Sequence, residues 1–488
     1  MEFLLKESII EERTITQLQE SMEKGELTSK ELVMYYLYKI AKYDQDGPRI
    51  NSVLEINPDA IFIAEGLDHE RKMKGSRGVL HGIPILLKDN IETKDNMHTS
   101  AGTLALEQYV GKKDAFLVER LRQAGAVILG KANMTELANG MSSKMWAGYS
   151  SRGGQVVNPY GSEFFVGGSS TGSAAAVASN FTAAAIGTET DGSILSPAVQ
   201  HSVVGIKPTT GLISRTGIIP FTYSQDTAGP MARTVEDAAI LLGMLTGVDS
   251  EDPATYKSEG MFDGDYTHFL DEQGLKGTRI GVFTQVTEDS FMPGEYDEAL
   301  FQQAIQIMQS AGAKMIVDID LPSLHREWSW SVNYYELKHS LANFLNHLPA
   351  HFPVHSIREL IEYNRESPER TLKYGQDKLE IRGELTNTLR ESNYLLAKLE
   401  DLYYARDKGI DEAIETYQLD AILFPAYVGS TICAKAGYPS IALPAGFMEN
   451  GRPFGITLAS GAFKEGTLIK LGYAFEKAGG FRRRPLFS

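Results

Sequence analysis

The feature that most constrains this chain is its centre, residues 150–232, which is dense in glycine, serine, threonine and alanine. Flexible linkers have a similar composition. Here, however, the Gly/Ser clusters bracket a helix-like run of small residues at 173–179 (SAAAVAS). Small side chains let a helix backbone approach its neighbours closely. We therefore interpret the stretch as a buried element between two tight loops and not as a tether.

Strand and helix patterns alternate around this stretch. Residues 79–90 (VLHGIPILLKDN) predict a turn and then a short buried strand that ends in charge. Residues 114–124 predict an amphipathic helix, and residues 126–130 (AVILG) predict the next strand. Residues 421–425 (AILFP) and 437–446 (GYPSIALPAG) predict later strands, the second after a turn. The alternation favours an α/β sheet with helices on its faces.

The first 45 residues predict helices, because Thr16 with Gln19 and Thr28 with Glu31 each form a capping-box pattern. Residues 290–420 are charged and predict long helices inserted between sheet strands, a position that often shapes a substrate mouth. We expect one domain over residues 1–488, made of N-terminal helices (1–70), a catalytic core (71–250), a mainly helical substrate-mouth section (290–420) and a return to the sheet (421–488).

Composition narrows the possible partners. Hydrophobic residues make up 42% of the 488 residues and charged residues 23%, values typical of a soluble globular protein. The formal charge of -16 gives no overall attraction to nucleic acid or anionic lipid. No run approaches the ~20 apolar residues that span a bilayer, and residues 3–5 are too short for a signal-peptide core. The single cysteine fits a reducing compartment. We expect a cytoplasmic monomer or homodimer with neither a nucleic-acid nor a membrane partner.

Two motifs that suggest a bound group fail on inspection. Residues 125–132 (GAVILGKA) nearly match a phosphate-binding loop, but Ala132 replaces the Ser or Thr that binds magnesium, and VIL belongs to a strand. His347, His351 and His355 have helical spacing, but the prolines between them break the helix that would align them as metal ligands. We therefore expect no cofactor and no metal.

Three polar residues stand out together: Lys88 at the end of an apolar strand, Ser169 in a Gly-Gly-Ser-Ser loop and Ser193 in a Thr-Asp-Gly-Ser loop. A neutral serine is a poor nucleophile and needs a base. A buried lysine can supply that base, because desolvation lowers its pKa and favours the neutral amine. The Gly-rich turn before Ser193 can expose backbone N–H groups that form an oxyanion hole.

A different interpretation places the nucleophile elsewhere. Residues 168–172 (GSSTG) match the Gly-x-Ser-x-Gly elbow of α/β-hydrolases, with Ser170 as the nucleophile and a later histidine, such as His201 or His268, as its base. This elbow accounts neither for the second Gly-Ser loop nor for the isolated lysine upstream. It remains an alternative.

Motifs along nearly the whole chain resemble those of the amidase signature family. Within that family, their residues are similar to those of bacterial peptide amidases. They are residues 80–84 (LHGIP) with Lys88-Asp89, 152–155 (RGGQ) with 158–160 (NPY), 167–170 (GGSS), 187–194 (GTETDGSI), 205–209 (GIKPT), 225–233 (QDTAGPMAR) and 437–439 (GYP). The resemblance implies one α/β/α sandwich with a mixed, twisted sheet covered by helices on both faces. It also implies hydrolysis of a carboxamide C–N bond in a small-molecule or peptide amide.

The resemblance further implies a Ser–cisSer–Lys triad. Lys88 matches the base, Ser193 the nucleophile, and Ser169 the bridging serine in a cis peptide with Gly168. Ser170 is expected to form hydrogen bonds within the site. The implied oxyanion hole consists of the backbone N–H groups of Thr190, Asp191, Gly192 and Ser193. For the substrate pocket we expect Met141, Tyr334 and Tyr374.

The sequence departs from the family at several positions. Val166-Gly167 precedes the Gly-Ser loop where Pro or Ser is usual, Asp191 replaces a frequent glycine, and Leu195 occupies a position that is commonly arginine. The last change weakens a second possibility within the family, the glutaminase-type subunit of a tRNA-dependent amidotransferase. A catalytically inactive amide-binding protein is the third alternative.

Overall fold

Eleven strands form one mixed sheet in the computed structural model, which describes residues 2–286 and 295–487. The strands are β1 (Val53–Ile56), β2 (Pro84–Lys88), β3 (Val127–Ala132), β6 (Ala184–Glu189), β7 (Val204–Lys207), β8 (Thr227–Ala232), β9 (Arg279–Val282), β10 (Lys314–Val317), β11 (Ala421–Pro425), β12 (Ser440–Phe447) and β13 (Pro453–Ala459). Their order is β1-β3-β2-β6-β8-β7-β12-β13-β11-β9-β10. A separate small hairpin pairs β4 (Tyr149–Ser150) with β5 (Gly154–Gln155).

Helices flank the sheet, which confirms the predicted α/β architecture. They are α1 (Ile15–Glu23), α2 (Ser29–Lys39), α3 (Ala60–Lys74), α4 (Phe116–Gln123), α5 (Thr171–Ala178), α6 (Leu195–Gln200), α7 (Val235–Leu245), α8 (Glu298–Ser310), α9 (Ser331–Asn346), α10 (Ile357–Glu366), α11 (Pro368–Thr371), α12 (Asp377–Glu384), α13 (Ser392–Leu402), α14 (Asp411–Tyr417), α15 (Ser430–Ala436) and α16 (Glu465–Gly479). Short 3-10 turns and two π-helical segments, Ile40–Asp44 and Tyr403–Ile410, join several of them.

The centre of the sheet lies in the interior of the molecule. Every residue of β2, β3, β6 and β8 is buried, as expected for strands that are covered on both faces. The small-residue run of the sequence forms helix α5, which is buried along its whole length and packs on β6 and β2. The central stretch is therefore a core element, as its composition indicated.

The ends of two central strands determine where the site lies. β2 and β6 pair in parallel, with Leu87 opposite Ile186, so both strands end at the same edge of the sheet. Lys88 closes β2 at this edge, and residues 190–193 follow directly after β6. Crevices at the carboxyl ends of parallel strands are the usual ligand sites of open α/β sheets.

One prediction about the helices needs correction. The capping box of α1 uses Thr14 and Gln17, not Thr16 and Gln19, because Gln19 instead donates to backbone carbonyls of the turn before β2. The section 290–420, expected to be mainly helical, also contains the edge strand β10, and residues 287–294 lie outside the described part. The predicted capping box of α2, Thr28 with Glu31, is confirmed.

Candidate active site

Lys88 is a deeply buried charged group at this edge of the sheet. Its side chain is 0% exposed. The Nζ atom donates hydrogen bonds to Ser169 Oγ at 2.7 Å, Ser170 Oγ at 3.0 Å and the carbonyl oxygen of Thr188 at 3.0 Å. Each contact is an oxygen acceptor without formal charge. The amine is therefore held in place without an ion pair among the described residues.

This environment changes the acidity of the lysine. Burial lowers the pKa of Lys88 to about 7, although the negative charges of Asp226 and Glu189 oppose the shift. A lysine in water has a pKa near ~10.4 and is almost fully protonated at neutral pH. Near pH 7 a large fraction of Lys88 is thus a neutral amine, the form that can accept a proton.

The two serines beside Lys88 sit on the turn before α5. The Gly168–Ser169 peptide bond is cis, the geometry implied by the family resemblance. Ser169 is 1% exposed and Ser170 is fully buried. The Ser170 hydroxyl donates to the carbonyl oxygen of Thr188 at 2.9 Å and accepts from its N–H at 3.1 Å. Ser170 therefore ties the turn to β6 and has no open side facing a substrate.

The loop that carries Ser193 is shaped by a glycine and a buried carboxylate. Gly192 has a φ of +75°, a conformation that favours glycine. Glu189 Oε2 accepts from the backbone N–H of Ile194 at 2.6 Å and of Leu195 at 3.0 Å. The backbone N–H of Ser170 in turn donates to the carbonyl oxygen of Ser193 at 3.0 Å. These contacts join the two serine loops into one unit.

Side chains of the same loop are anchored away from Ser193. Thr190 Oγ1 donates to Asp226 Oδ1 at 2.6 Å. The Asp191 carboxylate accepts from Ser430 Oγ at 3.0 Å and from Thr431 Oγ1 at 3.0 Å. Desolvation raises the pKa of both Asp226 and Asp191. The side chains of Thr190 and Asp191 are therefore engaged by other parts of the chain.

A cleft of about 780 Å³ opens in front of this loop. Residues 190–193 form part of its floor, so Ser193, which is 7% exposed, is reachable from solvent. Among the described residues, six aromatic side chains line the cleft: Trp146, Phe165, Phe221, Trp330, Tyr334 and Tyr427. Three cations of the described part also line it: Lys144, Lys378 and Arg382.

Of the three residues predicted for the substrate pocket, one lines the cleft and two do not. Tyr334 on α9 lines the cleft. Met141 does not, because it is fully buried in a hydrophobic cluster with residues of α9 and α10. Tyr374 packs edge to face against Tyr149 at 5.0 Å and is not among the described lining residues either. Trp330 and Arg382 were missed, although an aromatic or a cation in the predicted mouth section is the kind of signal that could have pointed to them.

Neither a membrane-spanning helix nor a metal cluster is found among the described residues. None of their helices combines the length and the apolar character needed to cross a bilayer. Within residues 2–286 and 295–487, no three His, Cys, Asp or Glu side chains are grouped as metal ligands would be. Cys433 is buried, and burial raises its pKa to about 12, so its thiol is not activated.

Comparison with known proteins extends these observations over the whole chain. The family model described as amidase matches residues 31–469. The structure of a peptide amidase from Stenotrophomonas maltophilia is 42% identical, with a TM-score of 0.91, and the match covers 98% of this chain and 99% of that one. A probable amidase of Arabidopsis thaliana is 39% identical over 490 residues, 98% of this chain and 92% of the relative.

A third relative has a different role. A glutamyl-tRNA(Gln) amidotransferase subunit of Rhizobium etli is 34% identical over 510 residues, 96% of this chain and 97% of the relative. The fold and these matches define the class as an amide hydrolase. The chain belongs to the amidase family.

Proposed function

We propose that this amidase hydrolyses C-terminal peptide amides, or small acyl and aryl amides, to a carboxylate and ammonia or an amine through Ser193, Ser169 and Lys88. The observation that carries the proposal is the contact of a fully buried lysine, of lowered pKa, with Ser169 beneath the loop that bears Ser193. Likeness to a solved peptide amidase supports the choice of substrate class.

The proposed reaction follows from the chemistry of these groups. Neutral Lys88 accepts a proton from Ser169, which takes the proton of Ser193 as Ser193 Oγ attacks the amide carbonyl carbon. The backbone N–H groups of residues 190–193 stabilise the resulting oxyanion. Ser169 returns a proton to the leaving nitrogen, the C–N bond breaks, and water then releases the acyl group from Ser193.

The surroundings of Ser170 argue against the elbow alternative. Its hydroxyl is fully buried and already bonded to Lys88 and to both backbone groups of Thr188. One of the histidines considered as its base, His201, is buried with Nδ1 2.8 Å from the carbonyl oxygen of Pro197. Burial lowers the pKa of His201 to about 4, which makes it a weak base.

The glutaminase-type subunit remains a second candidate because the amidotransferase relative matches nearly the whole chain. Such a subunit requires partner chains and glutamine. Robust hydrolysis of a peptide amide by the isolated chain would argue against it. Activity that appears only with glutamine and added partner chains would favour it instead.

Ammonia release from a peptide amide, with its free acid as a blank, tests the proposal directly. We expect release by the wild-type protein and its loss in Lys88→Ala, Ser169→Ala and Ser193→Ala. Loss in Ser170→Ala together with activity in Lys88→Ala would support the elbow instead. If no amide is hydrolysed and Ser193 does not react with a fluorophosphonate probe, the chain is a non-catalytic amide-binding protein.

A further inference from the structure

The lining of the cleft is unusually cationic for a chain whose formal charge is -16. Lys378 and Arg382 lie four residues apart on α12 and both line the cleft. Like charges at this spacing repel one another and destabilise a helix. Lys144 adds a third positive charge to the lining. The described lining contains one side-chain carboxylate, Asp191, which is held by Ser430 and Thr431.

Arg382 is the most constrained of these cations. It is 3% exposed, its Nη1 donates to the carbonyl oxygen of Gly140 at 2.7 Å, and its Nε has no hydrogen-bond partner among the described residues. Its guanidinium lies 4.5 Å from the centre of the Tyr334 ring and 5.5 Å from that of Phe221. It forms no ion pair within the part of the chain that the structure describes. The aromatic contacts hold the group in place but do not supply a carboxylate partner for its charge.

A buried guanidinium without an ion-pair partner is unfavourable, so its retention calls for a partner. The negative charge of Asp377 on α12 acts on Arg382 without pairing with it, and its Oδ1 already accepts from Ser142 Oγ at 2.7 Å and from the N–H of Ser143 at 2.9 Å. Burial lowers the pKa of Arg382 to about 10, which leaves it charged at neutral pH. Burial also lowers the pKa of Lys378, and the positive charge of Arg382 adds to that shift.

We propose that Arg382, assisted by Lys378, forms an anion subsite that binds a carboxylate on the acyl portion of the amide substrate. The planar guanidinium suits a carboxylate, and bonds between charged groups are stronger than those between neutral ones. This inference rests on the proposed function: when the leaving group is ammonia, the rest of the substrate is acyl. The preferred substrates are thus primary amides whose acyl portion also carries a free carboxylate, such as peptide amides with an acidic side chain.

Four peptides test the preference: acetylated trimethionine amide and the three peptides in which one methionine is replaced by glutamate. We expect kcat/KM for at least one glutamate peptide to exceed that of trimethionine amide by about tenfold or more. The ratio should fall as salt is added. Arg382→Gln should bring the ratio close to one. Arg365→Gln is the matched control, because Arg365 is exposed on α10 and pairs with Glu380 outside the cleft lining.

Binding to the Ser193→Ala protein, measured by titration calorimetry, separates this inference from the proposed function. Tighter binding of a glutamate peptide supports the subsite even if the wild-type protein releases ammonia from none of the peptides. That lack of release would contradict only the proposed function. Ammonia release without any glutamate preference overturns the subsite and leaves the proposed function standing. If Arg382→Gln does not fold, Lys378→Gln takes its place, and the subsite requires this variant to weaken the preference for glutamate peptides. An unchanged preference in that variant, with no salt dependence, also overturns the subsite.

Discussion

The two walls of the cleft differ in how they are built. The wall with Lys88 and Ser193 consists of buried strand ends and loops whose side chains are bonded to one another over short distances. The second wall consists of the helices between residues 331 and 417 and of Trp330, the residue just before them, which is 50% exposed. The like-charged pair Lys378 and Arg382 on α12 lines the cavity from this wall. The first wall is held by hydrogen bonds within the chain, whereas the second has an exposed aromatic ring and positive charges that no carboxylate of the described residues pairs with.

This difference indicates a division of labour. Bond-breaking chemistry needs groups that are held in place before the substrate arrives, because reorganisation during the reaction raises the barrier. Selection among substrates needs groups whose charge and apolar surface remain available. The strand-end wall meets the first need and the helical wall the second, so changes in the first should act on kcat and changes in the second on KM or on substrate preference.

The largest effect is expected at the strand-end wall. Ser193→Ala and Lys88→Met should each lower kcat by at least about 10³-fold, since removing one member of a catalytic set disables the set. The measurement is the initial rate of ammonia release at saturating peptide amide.

The chain offers a matched control for the lysine. Lys131 lies on the neighbouring strand β3, is also fully buried, and donates to Thr99 Oγ1 at 2.8 Å. Burial lowers its pKa to about 8. Lys131→Met should lower the melting temperature yet retain most of kcat. If both lysine variants lost kcat equally, burial and not the position beside Ser169 would explain the effect.

The second effect is a pH dependence set by Lys88. Only the neutral amine accepts a proton, and its pKa is about 7, so kcat/KM should rise with pH up to about 7 and then level off. Below that point each pH unit should lower kcat/KM about tenfold, because the fraction of neutral amine falls by that factor. A pH–rate profile between pH 5 and 9 measures this.

A conservative variant sharpens the pH test. Arg does not lose its proton in proteins, so Lys88→Arg should be inactive at every pH in that range. A flat wild-type profile, or activity in Lys88→Arg, would sink the idea that a neutral Lys88 is the base.

The third effect belongs to the helical wall. Trp330→Ala should raise KM for peptide amides by about two- to tenfold and leave kcat nearly unchanged, as expected for the loss of about 0.5–1.5 kcal/mol of aromatic contact. Steady-state kinetics with one peptide amide separate the two parameters.

The neighbouring tryptophan serves as the control. Trp328 packs partly buried against a hydrophobic cluster and is not among the described residues that line the cleft. Lys435 Nζ lies over both rings, at 5.2 Å from Trp328 and 5.8 Å from Trp330. Trp328→Ala should therefore change stability but not KM. A loss of kcat in Trp330→Ala would show that the helical wall also takes part in the chemistry.

The same contrast explains what could be predicted from the sequence. The strand that ends at Lys88, the small-residue helix and the two serine loops lie within about a hundred residues, and their patterns are local. The helical wall is assembled from distant segments: Arg382 reaches the carbonyl oxygen of Gly140, and the N–H of Leu379 bonds to the carbonyl oxygen of Met141. No local pattern encodes such contacts, so the sequence alone could not show that Tyr334 lines the cleft whereas Met141 is buried away from it.

The capping boxes show a similar limit on a smaller scale. Thr28 caps α2 as predicted, but at α1 the sequence offers Thr14 with Gln17 as well as Thr16 with Gln19. Tertiary contacts decide between them, since Thr16 Oγ1 donates to Glu236 and Ile15 N–H donates to Asp237. Two threonines with equal local patterns are therefore distinguished only by what packs against them.

The smallest expected effect concerns local unfolding: it tests whether the helical wall unfolds independently of the sheet. Thr234 caps α7 in the core by accepting from the N–H of Asp237 at 3.1 Å, and Ser356 caps α10 in the helical wall by accepting from the N–H of Glu359 at 3.2 Å. Replacing either by alanine should lower the free energy of global unfolding by about 1 kcal/mol. Native-state hydrogen exchange of amides in β6 and α10 measures the local consequence.

The two variants should differ if the helical wall opens alone. Thr234→Ala should then speed exchange in β6 by about fivefold and leave α10 unchanged, because α7 stays folded when only α10 opens. Ser356→Ala should speed exchange in both, because α10 is unfolded in the local and in the global opening. If Thr234→Ala speeds exchange equally in α10 and β6, the helical wall opens only when the whole molecule unfolds. In that case the two walls would differ in their chemistry but not in their stability.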